Sequence, residues 1–452
     1  MEPFRYHVFI CEQQKPEGVP CCIARGSKKM IDALRREISA QGLADEVQIT
    51  TCGSLGLCES GPNMVVYPEG VWYSGVQPED VPEIVRSHFR DGIKVERLAR
   101  WDRGALRAEI QMNRDRYLAA MKAHDAAGML PEDLAEKIRG FQESRAILTA
   151  LELNVFTAVG HGATATEVAH KIDANPRSAE MLLHALTALE LLEKQDGVFR
   201  NAPVAARFFS DDSPDSARLG LLHLANLWFR WSTLTDCVRA GTAMPREERS
   251  NEQQWTEAFI AAMDRNAHER APLVARAINP EGARRMLDVG GGSGAYAIAF
   301  AQANPALHAE IMDRETVLPI TQRHIQNAGL AGRVTTRAGD LTRDKLGEAY
   351  DLVLISAICH MLGAEENRDL LKRAYAALAP GGRLVIQDFI LEPDKTRPRF
   401  GALFALNMLV GTRAGSSYSE PEYEQWLRDA GLAEVQHVRL PGMTGLMVGR
   451  RS

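Results

Sequence analysis

Apolar residues recur with different spacings along the chain, and these spacings predict three folded regions. In the first region, short apolar runs alternate with one stretch of helical spacing, Lys28–Ala40. Short runs bounded by turn residues are typical of strands, whereas recurrence at every third or fourth position is typical of a helix. The predicted strands are His7–Ile10, Val47–Thr50, Met64–Tyr67 and Val71–Tyr73, and a closing helix is predicted at Pro82–Phe89. Residues 1–98 are therefore expected to form a small α/β domain.

Helical patterns dominate the next part of the chain. Residues 99–139 are charged and helix-prone, with a break at Gly128–Pro131, and predict a helical connector. Residues 140–245 contain three apolar-periodic stretches and then a short strand pattern, which predicts an all-α winged-helix domain. The stretches are Ala146–Val159, Thr166–Ile172 and Ala179–Leu192, and the strand pattern is Phe199–Asn201. A winged helix binds DNA or mediates dimerisation, and the few cationic residues of its third helix favour dimerisation.

Strand and helix patterns alternate over residues 246–452. The apolar strands are Met286–Val289, His308–Met312, Val334–Ala338, Leu352–Ile355, Leu384–Asp388 and Glu434–Val438. Regular alternation with helices predicts a doubly wound, mostly parallel α/β sheet of the Rossmann-like type. Ligands of such sheets bind outside the carboxyl ends of the strands. The residues that follow each strand are therefore the first candidates for a functional site.

A glycine-rich turn follows the first of these strands. It contains Gly290, Gly292 and Gly294 and is preceded by Asp288. Glycine lets a tight turn bring its backbone close to a ligand, because no Cβ intervenes. The spacing also satisfies the dinucleotide-binding pattern, so the glycines alone leave two classes of cofactor open.

Acidic residues after the next two strands favour one of these classes. Asp313 ends the second strand, where a carboxylate can accept hydrogen bonds from ribose hydroxyls. Asp340 follows the third strand, between Gly339 and Leu341, and is placed to meet an adenine amino group. Asp288 could attract a cationic ligand or hold the backbone of the turn. Three acids around one crevice favour a cationic ligand without phosphates, and the alternative is that they are helix N-caps.

A histidine and a further acid follow the next two strands. His360 lies five residues after Leu352–Ile355, and Asp388 ends the strand after it. A free imidazole has a pKa of about 6.5 and can remove a phenolic proton near neutral pH. The alternative is a histidine that caps the strand or packs in the core.

Apolar and aromatic residues on both sides of these motifs predict a pocket for the acceptor. They are Trp228, Phe229, Phe259, Met263, Met361, Phe404 and Met408.

These motifs resemble those of class I S-adenosylmethionine-dependent methyltransferases. Over residues 140–452 the chain is most similar to small-molecule O-methyltransferases with an N-terminal helical dimerisation domain. The matching segments are Leu287–Gly294, Gly339–Asp340, Tyr350–Leu354, Ile358–His360 and Leu378–Arg383. The resemblance implies S-adenosylmethionine as cofactor, held by Gly290, Gly292, Asp313, Asp340 and their neighbours Asp288, Gly294, Gly339 and Leu341. It also implies His360 as the general base and Asp388 as the acid that positions it.

The resemblance is incomplete after the histidine. Plant-type enzymes carry a second acid downstream, and the corresponding segment here, Gly415–Tyr418, has no carboxylate. The polar residues that usually follow the histidine are replaced by Met361–Gly363.

Cysteines are concentrated at the N-terminus, where five of the seven lie within the first 58 residues. Clustered cysteines in a cytosolic protein bind metal or perform redox chemistry more often than they form structural disulfides. Cys11, Cys22, Cys52 and Cys58 offer four thiolates, which suit a 2Fe–2S cluster or zinc. The tight paired spacing common in zinc sites is absent, which favours iron.

Residues 5–98 resemble the thioredoxin-like 2Fe–2S ferredoxins. The similar segments are Val8–Cys11, Cys22–Ser27, Leu55–Pro62 and Val66–Tyr73. The resemblance implies a cluster ligated by Cys11, Cys22, Cys52 and Cys58, and it favours Cys22 over its neighbour Cys21. It departs at the third ligand, which the family's spacing would place at Ser54 instead of Cys52.

Composition narrows the classes of protein to which this chain could belong. The net charge of −6, with 45% hydrophobic and 25% charged residues, is typical of a globular protein without a nucleic-acid-binding face. Neither a signal segment nor a long apolar run is present, so a cytoplasmic protein without a membrane partner is expected. The combined prediction is a homodimeric O-methyltransferase of a small aromatic acceptor, such as a phenol, quinol or polyketide, with a fused ferredoxin and its redox partner. The alternatives are a redox-sensing electron carrier or regulator, or methyl transfer to carbon, nitrogen or sulfur.

Overall fold

The computed structural model describes residues 3–15, 19–126, 128, 130–245 and 252–452. Part of the break predicted at Gly128–Pro131 lies outside these ranges. The chain divides into two compact units, Met1–Gly140 and Phe141–Ser452. Among the described helices, none has the length and apolar character needed to span a bilayer.

A four-stranded sheet organises the N-terminal unit. Its strands are β1 (Tyr6–Cys11), β2 (Val47–Cys52), β3 (Asn63–Tyr67) and β4 (Val71–Ser74), in the order β2-β1-β3-β4. β1 runs parallel to β2 and antiparallel to β3, which is antiparallel to β4. Alternate β1 residues, such as Val8 and Ile10, pack in one core with Leu34 of helix α1 (Ser27–Ala40). A short helix, α2 (Val81–Ile84), continues as a wider helical turn to Arg90.

The connector after residue 98 is helical, and it packs against the rest of the N-terminal unit. It consists of α3 (Arg103–Ala126) and the start of α4 (Glu132–Glu152). On α3, Asn113 Nδ2 donates to the carbonyl oxygen of Gly56 at 2.8 Å. One turn earlier, the Glu109 carboxylate accepts from Ser60 Oγ at 3.1 Å. The helix α3 therefore lies against the loop that carries Cys58.

Helices and a small antiparallel sheet form the first part of the second unit. The helices after α4 are α5 (Val155–Val159), α6 (Ala165–Lys171), α7 (Pro176–Ala188), α8 (Pro203–Phe208), α9 (Arg218–Trp231), α10 (Leu234–Ala240) and α11 (Glu252–Ile278), and the strands are β5 (Ala163–Thr164), β6 (Leu192–Gln195) and β7 (Val198–Asn201). The single helix predicted over Ala146–Val159 is wrong. The chain breaks at Asn154, whose φ of 55° is left-handed, a conformation that asparagine tolerates better than most residues.

The rest of the second unit is a seven-stranded sheet between helices. Its strands are β8 (Arg285–Val289), β9 (His308–Asp313), β10 (Val334–Ala338), β11 (Tyr350–Ser356), β12 (Leu378–Asp388), β13 (Ala433–Arg439) and β14 (Gly445–Arg450), in the order β10-β9-β8-β11-β12-β14-β13. The helices are α12 (Ala295–Ala303), α13 (Leu318–Asn327), α14 (Ala364–Ala377), α15 (Arg399–Gly411) and α16 (Glu420–Asp429). β14, which the sequence patterns did not predict, is antiparallel to both of its neighbours.

Both faces of the sheet are buried, and this positions the site. Leu287 and Val353 belong to one apolar cluster, whereas the adjacent Met286 and Leu352 belong to the other. The strand order changes direction between β8 and β11. Such a switch point opens a crevice at the carboxyl ends of the strands, because the connections on its two sides lead to opposite faces of the sheet.

Candidate active site

The glycine turn after β8 adopts left-handed backbone at alternate residues. The φ angles are 69° at Gly290, 55° at Gly292 and 83° at Gly294. A Cβ at Gly290 would lie 2.6 Å from Cδ1 of Ile358, so glycine is required there for space as well as for conformation. A Cβ at Gly292 would meet nothing within 4 Å, so the turn faces open space at that residue.

Asp313 ties the end of β9 to this turn. Its Oδ2 accepts from the Gly292 amide at 2.8 Å, and its Oδ1 accepts from the Arg314 amide at 2.7 Å. Asp340, after β10, uses Oδ1 to accept from the hydroxyl and amide of Thr342, at 2.6 and 2.9 Å. The hydrogen bond from the Thr342 side chain is the largest of the effects that lower the pKa of Asp340. Backbone capping thus accounts for part of the bonding of both acids, which follow the adjacent strands β9 and β10.

Asp288 lies beneath the turn and is fully buried. A Cβ at Gly291 would come within 2.8 Å of the Asp288 carboxyl carbon. Burial raises the pKa of Asp288 to about 7, the nearby Asp313 charge adds to the rise, and the Ala297 amide acts in the opposite direction. Neither carboxylate oxygen of Asp288 makes a hydrogen bond of ordinary geometry within the described residues, so its position leaves both roles considered for this acid open.

His360 and Asp388 meet where β11 and β12 end. His360 sits in a helical turn, Cys359–Met361, and its Nδ1 lies 2.7 Å from Oδ1 of Asp388. The His360 amide also donates to Oδ2 of Asp388, at 3.1 Å. Asp388 is 1% exposed. With the carboxylate ionised, Nδ1 carries the imidazole proton, which leaves Nε2 as the acceptor.

Two further donors reach Asp388. The Phe389 amide donates to Oδ1 at 2.8 Å, and the Tyr423 hydroxyl donates to Oδ2 at 3.2 Å. Tyr423 was not among the predicted site residues. Its helical spacing with Trp426 and Leu427 is typical of an ordinary core face, and only the packing of α16 reveals its polar contact.

Aromatic rings pack against one side of the His360 imidazole. Phe404, from α15, meets the His360 ring edge to face at a centroid distance of 4.9 Å. Phe389 lies 4.2 Å from Phe404 and 5.9 Å from His360, and Phe400 stacks on Phe404 at 5.9 Å. Phe389 and Phe400 were absent from the predicted pocket.

The other predicted pocket residues are dispersed. Met361, beside His360, is 39% exposed, and Met408 is buried within α15. Trp228 packs against the core of the helical region, where the Arg145 guanidinium lies 5.7 Å from its ring. Phe229 is exposed and Met263 is half-buried, and the side chain of Phe259 lies outside the described residues.

In the N-terminal unit, Cys11 lies close to two of the other predicted thiol ligands, Cys22 and Cys52. Cys11 ends β1 and is paired in register with Cys52 of β2. A hydrogen bond between the Cys11 and Cys22 thiols lowers the pKa of Cys11 to about 6 and raises that of Cys22. Cys22 also accepts from Asn63 Nδ2 at 3.5 Å. Burial, followed by the charge of Cys11, raises the pKa of Cys52.

The fourth predicted ligand has different contacts. Cys58 Sγ lies 2.9 Å from Nζ of Lys15 and 3.3 Å from Oγ of Ser54, the position that the family's spacing favours for a ligand. Within the described ranges, no three or more His, Cys, Asp or Glu side chains are grouped to hold a metal ion. The residues therefore fit a four-thiolate cluster only in part, and the ligand set stays a prediction.

Two family profiles match the second half of the chain and the region before it. An O-methyltransferase dimerisation domain matches residues 135–211, and an O-methyltransferase domain matches residues 232–433. The 3-hydroxy-5-methyl-1-naphthoate 3-O-methyltransferase of Streptomyces sahachiroi is 34% identical over 71% of this chain and 95% of its own length. The N,N-dimethyltransferase OxyT of Streptomyces rimosus is 29% identical over 69% of this chain and 93% of its own length.

The fold is also similar to that of solved structures. Human N-acetylserotonin methyltransferase in complex with S-adenosylmethionine has a TM-score of 0.63 and 25% identity, and the similarity covers 71% of this chain and 97% of that chain. Both matched domains, and their order, agree with the resemblance that the motifs carry.

Proposed function

The chain belongs to the family of S-adenosylmethionine-dependent O-methyltransferases, and on this premise we propose that its acceptor is the hydroxyl group of a small aromatic molecule. The observation that carries the proposal is the His360–Asp388 pair, buried beside the crevice and flanked by aromatic rings. An oriented imidazole is suited to remove a proton from a phenol. The Streptomyces sahachiroi relative is named for methylation of a hydroxynaphthoate, which is an acceptor of this class.

The glycine turn and the acids around it would hold the methyl donor. S-adenosylmethionine, when bound, supplies a methyl group already activated by its sulfonium. Gly290 and Gly294 let the turn pack closely against the protein, Gly292 leaves the backbone open on its outer side, and the carboxylate of Asp313 is suited to accept from ribose hydroxyls. Gly339, Asp340 and Leu341 follow β10 on the adenine side. Asp288 contributes from beneath the turn.

In this proposal His360 moves one proton and Asp388 keeps the imidazole in place. The Nε2 atom accepts the proton of the acceptor hydroxyl as the oxygen becomes nucleophilic. Asp388 stabilises the imidazolium that results, because its carboxylate accepts from Nδ1. Phe404 packs edge to face against the imidazole, and a flat aromatic acceptor would pack against the same ring cluster.

Incubation with isotopically methyl-labelled S-adenosylmethionine and fractionated small-molecule extracts tests the proposal. We expect mass spectrometry to find the label on a small aromatic product as a methyl ether. Label on an amine or a ring carbon would contradict transfer to oxygen. Transfer to nitrogen is the second candidate, because the Streptomyces rimosus relative is named as an N,N-dimethyltransferase.

We further propose that residues 1–98 form a thioredoxin-like ferredoxin module with a 2Fe–2S cluster on Cys11, Cys22, Cys52 and Cys58. The sheet order β2-β1-β3-β4 and the contact between Cys11 and Cys22 support it, in addition to the sequence motifs. Such a cluster supplies one-electron transfer, and a redox partner protein would exchange electrons with it.

Iron analysis of anaerobically purified protein tests this second proposal. We expect about two iron atoms per chain and visible absorption. Cys22→Ser should remove both, whereas Cys237→Ser, which alters a buried cysteine of the second unit, should retain them. Colourless protein without iron, or zinc in place of iron, would contradict the cluster.

The dimerisation domain supports a homodimer as the assembly. Light scattering coupled to size-exclusion chromatography should give twice the mass of the chain, which is 49.9 kDa. The mass of a monomer at every protein concentration measured would contradict this part of the proposal.

A further inference from the structure

The Asp388 carboxylate accepts a complete set of hydrogen bonds. Oδ1 accepts from His360 Nδ1 and from the Phe389 amide, at 2.7 and 2.8 Å. Oδ2 accepts from the His360 amide and from the Tyr423 hydroxyl, at 3.1 and 3.2 Å. Three of these donors lie in the turn after β11 or directly after β12. The fourth comes from α16, a separate element of the fold.

Tyr423 is held firmly for this contact. It is fully buried, and its ring meets those of Tyr418 and Trp426 edge to face at 6.0 and 5.6 Å. Burial raises the pKa of Tyr423 well above its usual value, and the Asp388 charge adds to the rise. The phenol is therefore neutral at physiological pH and donates a hydrogen bond to the carboxylate.

The other titratable groups around the pair are neutral as well. Cys359 lies next to His360, Tyr296 extends from α12, and Tyr418 precedes α16. Burial raises the pKa of Cys359 well above its usual value, raises that of Tyr418 to about 12, and raises that of Tyr296. Within the described ranges, the charge that acts directly on the imidazole is therefore that of Asp388.

We propose that Tyr423 is a positioning residue that acts through Asp388 to orient His360 and to moderate its basicity. The proposal rests on the proposed role of His360 as general base. The Tyr423 phenol holds Oδ2 of Asp388 without adding negative charge.

The sign of the effect follows from the hydrogen bond. A donor on Oδ2 withdraws electron density from the carboxylate, so Oδ1 accepts more weakly from the imidazole. Removal of the Tyr423 hydroxyl makes Asp388 more basic and stabilises the imidazolium. The acidic limb of the pH profile of kcat/KM should then move to higher pH. The turnover should fall as well, because one of the two bonds on Oδ2 that fix the carboxylate plane is lost.

Tyr423→Phe tests the proposal, with Tyr418→Phe as the matched control. Both substitutions remove a buried phenol hydroxyl from the same aromatic cluster, but the Tyr418 hydroxyl donates to the Leu362 carbonyl, at 2.5 Å, instead of to Asp388. We expect Tyr423→Phe to lower kcat about 3- to 10-fold, less than removal of a general base. The KM for the acceptor should stay unchanged, and the acidic limb should shift upward by several tenths of a pH unit. Tyr418→Phe should leave the pH profile in place.

A second measurement keeps this inference separate from the proposed function. NMR titration of the His360 imidazole signal, in the complex with S-adenosylhomocysteine, needs no acceptor. An upward shift of the titration midpoint of His360 in Tyr423→Phe, and not in Tyr418→Phe, supports the action of Tyr423 on His360 through Asp388. This holds even if phenols prove to be the wrong acceptors. Equal midpoints in the wild type and in Tyr423→Phe, or equal shifts in both variants, would overturn it. Failure of the wild type to methylate any phenol would count against the proposed function, but not against the role of Tyr423.

Discussion

The amide of Gly292 donates to Oδ2 of Asp313 across 2.8 Å, so the glycine turn after β8 and the end of β9 are held together at the crevice. The same carboxylate accepts from the Arg314 amide through its other oxygen. One aspartate thus shapes the turn and leaves lone pairs for a ligand at the position where ribose hydroxyls are expected.

Asp313→Ala should weaken S-adenosylhomocysteine binding about 10- to 100-fold, because hydrogen bonds to a charged group are lost together with the support of the turn. Asp351→Ala is the matched control. The Asp351 carboxylate also accepts from two backbone amides, those of Arg284 and Arg285 at 2.7 and 2.9 Å, but it lies at the opposite ends of the strands. Calorimetry should find almost unchanged affinity for the control, and equal losses in both variants would contradict a ligand role for Asp313.

Gly290→Ala should reduce both stability and cofactor affinity. The new methyl group would approach Ile358 Cδ1 to 2.6 Å, and the backbone would keep an unfavourable positive φ. Gly329→Ala provides the comparison, because Gly329 has a nearly identical φ of 68° and no atom within 4 Å of the added Cβ. The free energy of unfolding of the control should fall by only about 1 kcal/mol, because its alanine must adopt the left-handed conformation. If thermal melting and calorimetry do not distinguish the two variants, the close approach at Gly290 is unimportant.

Asp288 should make stability depend on pH. Its pKa is raised from 3.8 to about 7 in the folded protein, so the folded state binds this proton more tightly than the unfolded chain. The associated stabilisation is complete below about pH 4 and is lost as the pH rises through about 7. A shift of about three pH units corresponds to roughly 4 kcal/mol.

The variant Asp288→Asn cannot ionise and provides the measurement. Chemical denaturation at several pH values should show the free energy of unfolding shifting in favour of the variant, relative to the wild type, between about pH 4 and about pH 7. The difference between the two proteins removes the titration of the other groups. A difference that stays constant over this range would show that the carboxyl group of Asp288 is not perturbed by burial.

His360→Gln should lower turnover about 100-fold or more and leave the affinity for S-adenosylmethionine unchanged, because the base acts on the acceptor and not on the donor. His437→Gln is a suitable control. The His437 imidazole is also paired with a carboxylate, that of Glu420 at 2.7 Å, but it lies between β13 and α16. Steady-state kinetics with the identified acceptor would refute the assignment if His360→Gln kept full turnover.

Much of the site could be predicted because its residues follow strands. Asp288 lies one residue before the carboxyl end of an apolar run. Asp313, Asp340, His360 and Asp388 lie at or after such an end, and in a parallel sheet those ends converge. The glycine turn could be recognised because few other residues tolerate its conformation. These are local properties, which the order of residues along the chain expresses directly.

Other features were missed because they depend on distant packing. Tyr423 lies 35 residues after Asp388, and its spacing on α16 is that of a core residue. Phe389 and Phe400 join the aromatic wall only because α15 returns over the end of β12. The break at Asn154 depends on one backbone conformation that the apolar periodicity of Ala146–Val159 conceals.

The sequence by itself determined the alternating strands and helices, the glycine turn, the acids at the strand ends and the histidine after β11, since each depends on local spacing and residue chemistry. Only the tertiary structure decided that Asp288 is fully buried next to Gly291, and that a tyrosine donates to Asp388. Burial and hydrogen-bond partners arise from residues far apart in the chain. Whether a carboxylate faces water, a backbone amide or a phenol is settled when separate elements pack together.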